Sequence, residues 1–317
     1  MLQLPFMKSN WWKSLALAGL GTSLASLGSG QIVPSGSVEK PVAAVTVPFF
    51  VDDGHGNLMT EIALTDISIL DDKKAPQQVV ALHTPKESPL RLGLLIDNSG
   101  SQKYTYLYVP GAKAAFDFLR DIFGGLDDKV FVLGFANETR GTGFLNKDDF
   151  VKLQFKLEPG GHTALYEAVY FACTERMKHD PTQPSRRALV LLTDGDDTKS
   201  HVSLAKAIAA AQSSGTVVFI IGTGARYARS PLESVDVDPV LEQLASETGG
   251  LSFSGLAPKD LPKVFATIKT RIDHLASVAY VPAEARATRH FHSLELKIAS
   301  DKKWKVHAPK GYVQAGQ

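Results

Sequence analysis

Two stretches constrain this chain more than any other: Leu92-Gly93-Leu94-Leu95-Ile96 and Ala188-Leu189-Val190-Leu191-Leu192 are apolar at every position. A strand with one wet face alternates apolar and polar residues, so an unbroken run predicts a strand buried on both faces. Val130 to Phe135 and Val217 to Ile221 read the same way, and Leu251 to Phe253 is a shorter version. Helical patterns fall between them. Gly111 to Phe123 carries Ala115, Phe116, Leu119 and Phe123 on one side, and Thr163 to Met177 carries Leu165, Val169, Ala172 and Cys173. Leu204 to Gln212, Val240 to Glu247 and Asp260 to His274 follow. Such alternation predicts a doubly wound α/β domain over residues 89–275, with a mostly parallel sheet covered on both sides.

The flanks have a different rhythm. Residues 31–88 hold short β runs, Val45 to Val51, Ile67 to Leu70 and Gln77 to Leu82, and Pro48 predicts that the first is an edge strand. Residues 276–317 return to β with Val278 to Val281, Phe291 to Ile298 and Trp304 to His307. Each flank is too small for a sturdy core of its own. They are therefore expected to pair into one small β-sandwich, with the α/β domain inserted between them. Residues 1–30 read as a signal peptide: Lys8 and Lys13 precede an apolar stretch from Leu15 to Leu27, and Gly28, Ser29 and Gly30 close it. The run is short for a bilayer span, so membrane contact would come only through an uncleaved segment. An exported protein, periplasmic, cell-surface or secreted, is the expectation.

Composition excludes some functions. The formal net charge is +1 with no basic stripe, which argues against a nucleic-acid partner. The single cysteine, Cys173, rules out an internal disulfide and reads as a small buried hydrophobe on its helix.

In an open parallel sheet, ligands sit beyond the carboxyl ends of the strands, where strand order reverses. The first apolar strand runs into Asp97-Asn98-Ser99-Gly100-Ser101, and the strand from Ala188 runs into Thr193-Asp194-Gly195. If the order is 3-2-1-4-5-6, Asp97 and Asp194 face each other across that crevice. The glycine-rich Gly160-Gly161-His162-Thr163 opens a helix nearby and adds a third hydroxyl to those of Ser99 and Ser101. An all-oxygen set of two carboxylates and three hydroxyls favours Mg²⁺ or Mn²⁺ over zinc or copper. Such a set fills only part of an octahedral shell, which leaves a position for a carboxylate from another molecule.

Asp97-x-Ser99-x-Ser101, then Thr163, then Asp194 in Thr-Asp-Gly resembles the metal-ion-dependent adhesion site of von Willebrand factor type A domains and integrin inserted domains. The resemblance covers roughly Leu92 to His274. It implies that Ser99, Ser101 and Thr163 touch the metal, that Asp97 and Asp194 act directly or through water, and that a partner protein supplies an Asp or Glu. It also implies no catalysis. Val51-Asp52-Asp53-Gly54, the segment Asp66 to Gln77 and the closing Lys310-Gly311-Tyr312 are similar to the von Willebrand A-related proteins of acidobacteria, exported proteins of largely unknown role. Many of those carry Met after the second serine, where this chain has Gln102.

Two other functions compete with a binding module. Oxygen-ligated magnesium also serves phosphoesterase-type hydrolases, but the site offers no general base, arginine clamp or second metal cluster. A structural envelope scaffold is the third reading. Asp196 and Asp197 read as turn or cap residues. His290, His292 and His307 read as an exposed sheet face without a carboxylate companion. Tyr104, Tyr106 and Tyr108 suit either a partner-binding rim or packing of the first helix.

Overall fold

A computed structural model describes residues 44–125, 127–178, 183–224, 238–284, 290–299 and 304–313. The signal-type segment expected over residues 1–30 lies outside them.

The chain enters through three strands, β1 (Val45–Asp52), β2 (Ile67–Asp71) and β3 (Gln78–His83). The α/β alternation follows: β4 (Leu90–Asp97), α1 (Tyr108–Asp121), β5 (Lys129–Phe135), β6 (Thr139–Gly141), α2 (Lys147–Val151) and α3 (Leu165–Phe171). Next come β7 (Arg186–Thr193), α4 (Leu204–Ser213), β8 (Thr216–Gly222), α5 (Pro239–Glu247), β9 (Ser252–Phe253) and α6 (Leu261–Asp273). Four strands close the chain: β10 (Ala276–Val281), β11 (Phe291–Ile298), β12 (Lys305–His307) and β13 (Gly311–Val313).

The central sheet runs β6-β5-β4-β7-β8-β9. All its pairings are parallel except that of β6, which turns back against β5. Counted within the α/β region this is the 3-2-1-4-5-6 order, and the mostly parallel doubly wound fold is established. Its apolar strands fill two cores. Leu92, Leu94 and Ile96 of β4 face the α1 and α6 side, and Leu95 faces the α3, α4 and α5 side. A side chain at Gly93 would strike the Phe131 ring at 2.3 Å, so the bare glycine lets β5 lay that ring across β4.

The helix boundaries differ from the sequence pattern in two places. Helix α1 starts at Tyr108, before Pro110, because the first turn of a helix needs no N–H from a proline. The expected helix from Thr163 to Met177 begins only at Leu165 and widens into a π turn over Ala172–Arg176. Thr163 therefore stays in the loop. Cys173 is buried in the π turn, and burial pushes its thiol up to about 12.

The flanking strands form antiparallel sheets of order β12-β1-β10-β3 and β13-β11-β2. Val47, Phe49 and Val51 of β1, Ile67 and Ile69 of β2, and Val278 and Tyr280 of β10 share one core. By strand alternation Phe50 points the other way, into the α/β core, 6.1 Å from the Phe219 ring. The edge position expected for β1 is corrected: it lies between β12 and β10. Pro48 is tolerated because β12 covers only Phe50 to Asp52, so Pro48 pairs on the β10 side alone. Among the described residues no helix is long and apolar enough to cross a membrane.

Candidate metal centre

Strands β4 and β7 are parallel neighbours with Ile96 opposite Leu192, so Asp97 and Thr193 leave the sheet side by side. The chain departs from β4 toward β5 on one side and from β7 toward β8 on the other. This is the topological switch point, where loops splay apart and leave a crevice.

Three loops meet there. Asp97 is buried; its Oδ1 accepts the Ser99 N–H at 2.9 Å and its Oδ2 accepts the Thr193 hydroxyl at 2.7 Å. The Ser99 and Ser101 Oγ atoms lie 2.9 Å apart, with Ser99 buried and Ser101 exposed. The glycine loop is laced to this one: Gly100 N–H donates to the Gly161 carbonyl at 2.9 Å, and Gly160 N–H to the Asn98 carbonyl at 2.8 Å. Gly161 has φ +81°, and a Cβ on it would meet Asn137 Nδ2 at 2.8 Å, so only glycine fits. Thr163 is buried, its N–H on Thr198 Oγ1 at 3.0 Å and its carbonyl accepting Thr198 and Lys199 N–H at 2.9 Å each. That lacing ties the Thr163 loop to the third loop, which carries Asp194. Thus Asp97, Ser99, Ser101, Thr163 and Asp194 all sit on loops gathered at one end of the sheet.

The electrostatics are uncompensated. Burial pushes the Asp97 carboxyl up to about 6; the Ser99 and Thr193 hydrogen bonds pull it down, and the negative Asp194 adds to the rise. Asp194 Oδ1 is buried and has no hydrogen-bond partner among the described residues. Among the described residues no cation contributes to holding Asp97 ionised. Two carboxylates close enough to repel, one with an orphaned oxygen, beside three hydroxyls and no thiol, form a donor set that fits a hard divalent cation.

Thr193 and Asn137 carried no sequence signal of their own, whereas Asp197 takes the cap role read from the sequence. Thr193 locks Asp97, Asn137 Oδ1 accepts the His162 N–H at 2.8 Å, and Asp197 caps α3 by accepting the Tyr166 N–H at 2.9 Å. His162 itself is exposed. The three tyrosines divide. Tyr104 is 85% exposed, Tyr106 donates its hydroxyl to the Leu256 carbonyl, and Tyr108 opens α1 and packs on the core beneath.

A second cluster lies in the flanks, where Asp71, Asp72 and His292 bring one ligating atom each within 4.8 Å of one another. These atoms already hold one another and their surroundings. His292 Nδ1 is 2.8 Å from Asp72 Oδ2, and Asp71 Oδ2 accepts the Tyr280 and Tyr312 hydroxyls at 2.8 and 3.0 Å. The exposed histidine face expected from the sequence is corrected here. His290 is exposed, but His292 and His307 are buried beside Asp72 and Asp52, carboxylates that strand pairing brings from more than two hundred residues away.

The profile of the von Willebrand factor type A domain matches residues 92–266. No curated protein matches the sequence. The similar solved structures include three of low identity. A von Willebrand factor type A protein from Catenulispora acidiphila is 13% identical over 89% of this chain and 76% of that one, with a TM-score of 0.47. An aerotolerance-related membrane protein from Bacteroides fragilis is 18% identical over 58% and 98%, with a TM-score of 0.40. Proximal thread matrix protein 1 of the mussel byssus, solved with zinc in its adhesion-site motif, is 19% identical over 62% and 48%, with a TM-score of 0.44.

Proposed function

The chain belongs to the von Willebrand factor type A domain family, protein-binding modules rather than enzymes, and we propose that it captures a partner protein through a divalent cation. In this reading Asp97, Ser99, Ser101, Thr163 and Asp194 hold Mg²⁺ or Mn²⁺, and an Asp or Glu of the partner completes the shell. The cation supplies a positive charge with an exchangeable coordination position. The chain's own residues do the rest. Thr193 and the Ser99 N–H orient Asp97, the Asn137-held glycine loop positions Thr163, and the solvent-facing Ser101 marks the open side. The observation that carries the reading is the pair of mutually repelling carboxylates, buried Asp97 and half-buried Asp194, the latter with a buried oxygen that has no donor among the described residues.

Tyr104, beside the serine loop, and the 72% exposed Val109 give the docking face an apolar rim. The resemblance of Asp66 to Gln77 and Lys310-Gly311-Tyr312 to the acidobacterial subgroup, with the signal-type segment over 1–30, supports an exported binder. The division into segments 31–88, 89–275 and 276–317, the first and last pairing, is likewise our proposal.

Calorimetric titration of the purified chain with Mg²⁺ and with Mn²⁺, beside Asp97→Ala, tests the metal reading. One saturable site that vanishes in the variant is the expected result. A wild-type chain that takes up neither ion would sink it.

A further inference from the structure

Gln102 follows the second serine of the site motif, and its surroundings are unusual. Gln102 is a buried amide, 1% exposed, in a short helical turn that runs from Gly100 to Tyr104. Its Oε1 accepts the Thr223 hydroxyl at 3.1 Å, and the Thr105 hydroxyl lies 3.1 Å from the same oxygen. Its Nε2 has no partner among the described residues. A buried donor left unpaired costs stability. An apolar side chain of similar length would fill this space without that cost, so simple packing does not account for an amide here.

The hydrogen bonds around Gln102 close on themselves. Its N–H donates to the Ser99 carbonyl at 3.2 Å, and the Ser99 N–H donates to Asp97 Oδ1 at 2.9 Å. Asp97 Oδ2 accepts the Thr193 hydroxyl at 2.7 Å. The Thr193 carbonyl accepts the Thr223 N–H at 2.7 Å, and the Thr223 hydroxyl returns to Gln102. All five residues are 1% exposed or less. The ring spans the ends of three adjacent strands, β4, β7 and β8, and takes in the serine loop that leaves β4. Without the Gln102–Thr223 bond, that loop would be held to β7 through Asp97 alone.

We propose that Gln102 and Thr223 are positioning residues for the metal centre, clamping the Ser99–Ser101 loop to the end of β8 so that its hydroxyls stand in place before any ligand arrives. The inference rests on the metal reading above for its functional meaning, but the clamp itself is a property of the protein without metal. It extends the site to β8, a strand that contributes none of the five ligand residues. It also explains why a hydroxyl residue stands at position 223, directly after the β8 run.

The test uses the full chain with Thr223→Val, which keeps the shape and removes the hydroxyl, with Gln102→Met, and with the double variant. Hydrogen exchange measured in chelator reads the clamp directly. Losing one buried bond should speed exchange across residues 97–105 by roughly tenfold, with residues 45–52 and 276–281 unchanged. Mg²⁺ affinity should weaken by roughly the same factor, and Thr223→Ser should restore both readings. Because the two residues act through one shared bond, the double variant should be no worse than the worse single one. Wild-type exchange in that loop for both single variants would overturn the proposal, as would fully additive effects in the double variant. A wild-type chain that binds no Mg²⁺ would count against the ligand reading instead, and the exchange data would still decide the clamp.

Discussion

Carboxylates in two regions of this molecule are treated in opposite ways. In the β flanks each one meets donors from distant strands or helices. Asp71 receives two tyrosyl hydroxyls, Asp72 faces His292, and Asp52 faces Arg271 at 3.4 Å and His307 at 3.2 Å. At the carboxyl end of the α/β sheet, Asp97 receives one N–H and one hydroxyl but no cation, and Asp194 keeps an orphaned buried oxygen. The flank carboxylates are compensated by the fold. Those of the crevice are left for something that the fold does not provide. Ligating residue types alone would not separate the two, since the Asp71, Asp72 and His292 cluster also has metal-binding chemistry. The state of the donors does separate them.

The largest effect that tests this contrast is on stability. Asp71→Ala leaves the Tyr280 and Tyr312 hydroxyls without their buried acceptor, and should cost about 4 kcal/mol of unfolding free energy at about 2 per hydroxyl. Metal uptake per folded molecule should be unchanged, as read by denaturant melts beside the Mg²⁺ titration. Loss of metal binding with little destabilisation would move the metal site to the flanks. Arg271→Ala comes next. It removes the cation from a buried pair that joins α6 to β1, and should cost about 3 kcal/mol because Asp52 is then buried without it.

In the crevice the sign reverses. Asp194→Asn removes a charge that repels Asp97, so in chelator the variant should be more stable than wild type by about 1 kcal/mol. With Mg²⁺ present the order should invert, since only the wild type would gain from the ion. A variant that melts well below wild type in chelator would show that Asp194 is compensated after all, and the contrast would fail.

How much of this was legible in the sequence follows from distance along the chain. The central strands were legible because burial on both faces writes an unbroken apolar run, as in β4, β7 and β8. Four of the five proposed ligand residues were legible because they follow directly from such elements, Asp97, Ser99 and Ser101 from β4 and Asp194 from β7, and Thr163 because a glycine-rich loop opens α3 there. Strands β6 and β13, at three residues each, are too short to carry a period. The true start of α1 was hidden because Pro110 reads as a break although it lies in the first turn. The flank histidines were misread because their partners, Asp52 and Asp72, are found only once β1 pairs with β12 and β2 with β11. Gln102 had the same problem, since nothing near it in sequence announces Thr223.

The smallest predicted effect concerns His307. Its ring stacks on Phe50 with centroids 4.5 Å apart, and its Nε2 faces Asp52 without completing a hydrogen bond. Burial lowers its pKa below the ordinary 6.5; Asp52 pulls upward, while Lys305 and Arg271 push further down. The folded chain therefore holds this ring neutral at pH values where the unfolded chain has already protonated it. Between 6.5 and the lowered folded value the unfolded state binds more protons, so the contribution of His307 to stability falls as pH drops through that window and is flat above it. Replacing the ring with one that cannot titrate, His307→Phe, should remove that part of the acid slope while leaving the melt near pH 8 close to wild type. The comparison of regions is sharpened because a compensated flank should respond to acid through its histidine, whereas the crevice should respond to chelator. If the acid slope is the same in both proteins, His307 has no net shift, and Asp52 balances desolvation at this seam.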